Sequence, residues 1–476
     1  MIQEHLLRKF QIKSMQLKKG QIVEVNIHAL AFGGSGIGKH EGLTVFVEGT
    51  MPGDKVTAAF TRIKSNFAEA KLVEIKEPSK DRIKPKCPYF GICGGCQLQF
   101  MPYKKQLEFK KQYVIDAFER IGKIYTPPVN DVIGSKEEFY YRNKMEFSFG
   151  YDSSMQFAFG LHLPGRRFDI LDLKECHLQS LLSGEIVNST REFMKSLGWL
   201  PYKYSTGEGF LQSFFIREGK NTNEVMINLT TSENTPEDVN TGMKKLVEML
   251  LKIPSGDKKI TSIYWSKIIS KRGVRKQIKE TLLYGKKFLS EKMILKNGDE
   301  LSFEILPQAF FQVNTPQAEI LYSQVVNFAL NKPQSCVLDL FCGTGTIGMF
   351  LAKHCEHVIG IELNPEASKS ACANAQNNKI FNIDFYTGDV AKVLPSLRNQ
   401  PSLIVVDPPR AGLTEKLIKQ INDFGSDQII YVSCNPSTLA RDCNWLKDYG
   451  YKLQAVQPVD MFPHTYHIES VCFLKR

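Results

Sequence analysis

Apolar and polar residues alternate along Gln21–Ile27, and similar short runs follow at Leu43–Gly49, Asp54–Phe60 and Ala68–Ile75. A two-residue period turns one face of each run to a core and the other to water, so each is expected to be a half-buried strand. With the glycine-rich stretch Phe32–Gly38 between the first two, the pattern predicts a small five-stranded barrel of the oligonucleotide-binding (OB) type. The period then changes. Tyr103–Ile121 reads as a charged amphipathic helix. Residues 139–305 mix strand-like runs (Lys144–Gly150, Glu224–Leu229, Ser262–Trp265) with helical ones (Ser183–Leu197, Glu237–Leu251), an α+β region. From Ser335 the alternation becomes regular. Strands are expected at Cys336–Leu340, His357–Glu362, Asn382–Thr387, Leu403–Asp407 and Gln428–Cys434, with helices at 346–353, 365–377, 414–422 and 437–449, and two further strands at the end. Repeated βαβ units predict a parallel sheet covered on both faces, which binds ligands beyond the carboxyl ends of its strands.

The chain therefore divides into residues 15–76 (barrel), 77–125 (a cysteine-containing linker and helix), 126–305 (central α+β region) and 306–476 (α/β domain). At 476 residues, 42% hydrophobic and 23% charged, it is long enough for several globular domains. Met1–Gly20 lacks an apolar core followed by a cleavage site, and no run is long and apolar enough for a membrane span. A cytoplasmic monomer is expected. The net charge of +11 is unevenly placed: residues 1–86 hold fifteen Lys and Arg against nine Asp and Glu, whereas residues 331–476 balance at fourteen each. A basic front end predicts a polyanionic partner, with a merely solvated lysine-rich surface as the alternative. Phe32, Arg62, Lys64 and Phe67 on the barrel are candidate contacts. So are the interleaved aromatics and cations of Tyr140–Lys144 and Gly165–Phe168.

Of the eleven cysteines, Cys336, Cys355, Cys372 and Cys472 lie in apolar surroundings and read as reduced core residues. Cys87, Cys93 and Cys96 differ. Their C-x5-C-x2-C spacing, with glycines between, places three thiols in ten residues and predicts a metal site, with Cys176 as the fourth ligand. Spacing alone allows zinc or an iron–sulfur cluster.

The α/β domain carries the chemistry. Asp339–Gly345 joins a strand to a helix through a glycine turn, and Glu362 closes the next strand about 20 residues on, where this fold class bonds ribose hydroxyls. Gly388-Asp389 and Asp407-Pro408-Pro409 end the third and fourth strands. These loops read as an S-adenosylmethionine cradle; the turn lacks the G-x-G-x-x-G fingerprint of a nicotinamide domain. Arg410 stands where amino-group methyltransferases with a related Pro-Pro motif carry a stacking aromatic, so a different acceptor is expected. Cys434, where a buried strand opens into Asn435-Pro436, supplies a nucleophile, and Glu469 a carboxylate at the start of the last strand. Carbon 5 of uracil is too weakly nucleophilic to take a methyl group unaided. A thiolate adding to carbon 6 makes it reactive, and a base must then remove the carbon-5 proton.

Over nearly its whole length the chain resembles the TrmA/RumA-type RNA uracil-5-methyltransferases, in particular the TRAM-containing 23S rRNA branch. The resemblance rests on Ala31–Gly38 and Val47–Asp54 in the barrel, the cysteines with Cys176, Phe310–Asn314, Asp339–Gly345, Asp407–Arg410, Ser433–Pro436 and His464-Thr-x-His-x-Glu469. It implies a class I (Rossmann-like) methyltransferase domain, a central α+β domain and an OB-like TRAM barrel. It implies Cys434 as nucleophile and Glu469 as base, with Gln312, Phe341, Glu362, Asp389 and Asp407 around S-adenosylmethionine. Phe310, Gln312 and Asp407 would touch the uracil, and Cys87, Cys93, Cys96 and Cys176 would hold a 4Fe-4S cluster. Thr346 departs from the asparagine of some relatives and is left without a role. Cys342 reads as packing. Cys443 raises a two-cysteine cytosine-5 enzyme, against which the single Ser-Cys-Asn-Pro motif speaks. A tRNA T-loop substrate, a silent RNA-binding factor and an iron–sulfur redox protein are the competing readings.

Overall fold

The computed structural model describes residues 17–270, 277–398 and 400–476; Met1–Gln16, part of the stretch expected to carry no secretory signal, lies outside them. The described chain forms two compact units. One comprises residues up to Gly91, Gly95–Phe109 and His464–Tyr466, and the other comprises the remainder.

In the first unit, strands Ile22–Leu30, Gly36–His40, Leu43–Val47, Lys55–Ile63 and Phe67–Glu77 close a barrel in which the fifth strand lies between the third and fourth. Inward positions follow the two-residue period: Val23, Val25, Ile27, Val45, Val47, Val56, Ala58 and Phe60 fill the core. Gly38 is dictated by that packing, since a Cβ there would lie 2.1 Å from a methyl group of Val25.

The second unit holds two seven-stranded sheets and a hairpin. The central sheet is built from Lys144–Tyr151, Phe157–Leu163, Arg166–Asp172, Leu211–Glu218, Glu224–Ser232, Lys259–Ile269 and Gln277–Gly285 in the order 7-6-5-4-1-2-3. Glu224–Ser232 runs parallel to its neighbour Lys259–Ile269 and is joined to it through the helix Val239–Leu251. That helix starts two residues later than its pattern suggested. The Asp238 carboxyl at its cap position makes no capping bond and instead accepts the Trp199 indole N–H at 3.0 Å. The hairpin Leu289–Ile294/Glu300–Ile305 leads through residues 306–314 into the helix Thr315–Ala329.

The C-terminal sheet contains Gln334–Leu340, Cys355–Glu362, Ile383–Thr387, Leu403–Val406, Gln428–Ser433, Lys452–Val459 and Glu469–Lys475, in the order 3-2-1-4-5-7-6. Strands 1 to 5 are parallel, so their carboxyl ends share one edge. Strand 7 runs antiparallel between strands 5 and 6. Both faces are buried: Val337, Val405, Ile430 and Val432 pack with Leu321, Val325 and Phe350, while Leu338, Ile404, Ile429 and Tyr431 pack with Ile418, Leu439 and Leu446. This explains the nearly continuous apolar strands. Cys336 and Cys472 are buried as expected, but Cys372 is exposed. Its helix, Pro365–Asn377, buries the face of Ser368, Ala371 and Ala375, and residue 372 falls off that stripe.

Candidate active site

Strand register brings the two chemical candidates together. Ser433 pairs with Ser470 across strands 5 and 7, so Cys434 and Glu469 are the next residues along the two antiparallel chains. Beyond Cys434 the chain turns at once into the helix Pro436–Asp448. Pro436 suits the first helical turn, and Asn435 caps it by accepting the Ser437 N–H at 3.1 Å. The Asn435 amide and the Thr438 hydroxyl both donate to the Arg410 carbonyl, at 3.1 and 3.2 Å. Arg410 is thereby tied to the loop of Cys434, where its charge favours the ionised thiol.

The cavity at this strand edge has a volume of about 490 Å³. Phe310, Gln312, Phe341, Asp407, Cys434 and Glu469, all singled out from sequence, line it. Phe310 is 68% exposed, whereas Phe311 is buried with its ring against Phe303. Gln312 and Tyr322 line the cavity together. Phe341 has φ +65°, a left-handed conformation that side chains adopt at a cost of about 1–3 kcal/mol where the surroundings enforce it. Gly345, at φ +74°, has no room for a side chain, because a Cβ would sit 2.7 Å from the Phe385 ring.

Two of the expected cofactor residues are not on the cavity wall. Glu362 accepts the Gly343 N–H at 2.9 Å and the Asn364 N–H at 2.7 Å, so it shapes the glycine turn. Asp389 is exposed and accepts the Ala391 N–H at 3.0 Å.

Burial dominates the electrostatics of the site and raises its carboxyls and its thiols alike. Burial, and then the Asp407 charge, pushes Asp339 up to about 8; its second oxygen accepts the Gly348 N–H at 2.8 Å, while its first has no partner. Burial pushes Asp407 up to about 7. Glu469, 7% exposed, is raised well above the ordinary carboxylate range by burial and by Asp407, with Arg410 opposing. The Cys434 thiol is raised by burial and by Glu469 and Asp407, and Arg410 again acts the other way. His467 is held down at about 4 by burial and by the charges of Arg410, Lys110 and Arg142, so its ring is neutral at pH 7.

Sequence reading missed Asp339, Tyr322, Phe462 and His467 as cavity residues and gave Thr346 and Arg410 no role there. Asp339, Arg410 and His467 lie inside motifs that could have indicated them. Tyr322 faces the site from a helix whose local pattern signals only burial. Cys342, expected to be packing alone, also lines the cavity. Its thiol is raised by burial and by Asp339 and Glu362.

Elsewhere the expected contacts divide. Phe32 is exposed, and Arg62 pairs with Glu69 at 3.3 Å on the barrel surface. In Tyr140–Lys144, Tyr141 and Asn143 are buried and the Lys144 ammonium covers the Phe215 ring, so much of this stretch is interior rather than open surface. Residues 80–102 form turns without helix or extended strand. The Cys87 N–H donates to Gln99 at 3.1 Å, and Cys87, Cys93, Cys96 and Cys176 are each half-buried. Among the described residues, no group of three or more His, Cys, Asp or Glu side chains is arranged to hold a metal ion. No helix among them is long and apolar enough to cross a membrane.

Comparison with known proteins agrees with this architecture. A TRAM domain model matches residues 16–73, a methyltransferase domain model residues 337–419, and a tRNA (uracil-5-)-methyltransferase model residues 396–476. An uncharacterized RNA methyltransferase of Clostridium tetani is 36% identical over 466 residues, covering 97% of this chain and 99% of the relative. Another, of Halalkalibacterium halodurans, is 38% identical over 464 residues, covering 96% and 98%. The crystal structure of Pyrococcus abyssi tRNA (uracil-54, C5)-methyltransferase with S-adenosyl-L-homocysteine superposes with a TM-score of 0.74 at 29% identity, covering 95% of this chain and all of that one. Fold and matches define an S-adenosylmethionine-dependent RNA methyltransferase. The chain belongs to the TrmA/RumA-type family of RNA uracil-5-methyltransferases.

Proposed function

We propose that this enzyme methylates carbon 5 of a uridine in 23S rRNA through a covalent adduct between Cys434 and carbon 6, acting as a cytoplasmic monomer. The observation that carries the reading is that Cys434 and Glu469, on adjacent antiparallel chains, line one cavity. Cys434 is the thiol whose loop Glu469 adjoins, and the Arg410 charge opposes the burial that raises it. The thiolate adds to carbon 6, and the electron pair freed at carbon 5 takes the methyl group. Bound S-adenosylmethionine supplies that electrophilic methyl. Glu469 then removes the carbon-5 proton, the carbon 5–carbon 6 double bond re-forms, and the Cys434 thiolate leaves. In this reading Gln312, Phe341, Glu362, Asp389 and Asp407 hold or order the cofactor, and Phe310, Gln312 and Asp407 receive the uracil. A base must leave its stack to enter, at a cost of a few kcal/mol that is least in a loop.

The TRAM barrel at residues 15–76 and the central region at 126–305 would grip the RNA; the resemblance to the TRAM-containing 23S rRNA branch favours rRNA, although tRNA enzymes of the family also carry such barrels. The Pyrococcus abyssi enzyme, named for tRNA uracil-54, supports tRNA as the second reading. Mapping 5-methyluridine in cells lacking the gene, restored with wild type or Cys434→Ala, decides between them. The expected result is loss at one or two 23S rRNA uridines that only wild type reverses. Loss in the tRNA T-loop transfers the chemistry to tRNA, and no loss anywhere sinks the enzymatic reading.

For Cys87, Cys93, Cys96 and Cys176 we propose a 4Fe-4S cluster, supported by the thiol donor set and by the turn-rich, glycine-containing chain around the first three. Bound there, the group would cross-link this loop; methyl transfer involves no net redox change. Anaerobically purified protein is expected to contain about four iron atoms per chain, and Cys96→Ser to lose them. Iron-free wild type with stoichiometric zinc would instead favour a zinc site.

A further inference from the structure

Gln312 lies on a segment without regular structure, yet that segment is fastened on both sides. The Asn143 backbone N–H donates to the Val313 carbonyl at 2.7 Å. Its side-chain amide donates to the Gln312 carbonyl at 2.8 Å and to the Thr315 hydroxyl at 2.9 Å. That hydroxyl lies 3.0 Å from the Glu291 carboxyl. Both Glu291 oxygens already accept backbone N–H groups, from Lys220 at 2.7 Å and from Asn221 and Lys292 at 3.0 Å. Thr315 therefore gives its single proton to Glu291 and offers a lone pair to Asn143. This fixes the amide orientation, because the flipped form would set its oxygen against two acceptors. Asn143 and Glu291 are 3% and 1% exposed, so water cannot replace either partner. On the other side, Arg217, also buried, donates to the Leu306 and Ala309 carbonyls at 3.2 and 2.7 Å.

We propose that Asn143, oriented by Thr315 and Glu291, is a positioning residue that sets the placement of Gln312 in the active site. The central region would thus act on the reaction through the geometry of this segment as well as through RNA contact. The proposal rests on the reading that Gln312 touches the methyl donor and the target base.

The test is a double-mutant cycle of Asn143→Asp, which keeps the size but loses the donor, with Gln312→Ala. It is read in kcat, in KM for RNA and in S-adenosylhomocysteine affinity by calorimetry. Asn143→Asp is expected to lower kcat by about 10- to 100-fold, as a misplacement near 1 Å does, with KM for RNA unchanged. In the Gln312→Ala background it should cost almost nothing more, whereas a general loss of structure would add in full. Thr315→Val should reproduce the loss and Thr315→Ser restore it, which keeps the test decisive where Asn143→Asp folds poorly. Full activity in both Asn143→Asp and Thr315→Val, or additive losses in the cycle, would overturn the proposal. If Gln312→Ala itself changes neither kcat nor cofactor affinity, the reading of Gln312 fails, and this inference with it.

Discussion

Glu469→Gln is expected to convert the enzyme into a trap: RNA incubated with it and S-adenosylmethionine should become methylated and stay bonded to Cys434. Glutamine keeps the size and the hydrogen-bonding capacity but cannot take the carbon-5 proton. Until that proton leaves, the electron pair needed to expel the thiolate is locked in the C–H bond. Turnover should fall by about two to four orders of magnitude, the usual worth of a positioned base. A denaturant-resistant protein–RNA band carrying one methyl group per adduct checks this outcome. Product released at the wild-type rate would show that Glu469 is not the base.

The wild-type pH profile should carry the same signature. Glu469 works only when ionised, and burial and Asp407 raise its pKa well above the ordinary range. Acidification should therefore cut kcat at pH values well above the ~4.3 of a free glutamate.

Cys434→Ala should abolish methylation, with a loss of about four orders of magnitude or more and no covalent band, while S-adenosylhomocysteine still binds. The cofactor arm separates loss of the nucleophile from loss of the fold. Retention of activity in Cys434→Ala would move attention to Cys342, the other thiol on the cavity wall. Arg410→Met is the companion variant. Arg410 lowers the pKa of both the thiol and the Glu469 carboxyl, so its removal raises both. At a given pH less of each group is then ionised, and the acid limb of the profile should move to higher pH.

Much of the framework was legible locally. Two-residue alternation marked the barrel, and the switch to regular strand–helix alternation after Ser335 marked the α/β domain, because side-chain direction repeats with the backbone of each element. Turn chemistry placed the site at strand ends: Gly345 where a left-handed residue is needed, and Asn435-Pro436 where a helix must start. Cys434 and Glu469 could be singled out because uracil chemistry requires one nucleophile and one base. Tertiary structure decided what those residues face. Strand 7 inserts antiparallel beside strand 5, and that pairing, between segments 35 or more residues apart, sets Glu469 next to Cys434. It turned Tyr141 and Asn143 inward from a stretch that reads as surface, put Cys342 on the cavity wall and Cys372 in solvent. It also raised Asp339 and Asp407. Periodicity and turn preference are properties of a few neighbouring residues, so they can be read along the chain. Burial, register and the field at a carboxyl depend on groups remote in sequence, which only the assembled sheet brings within reach.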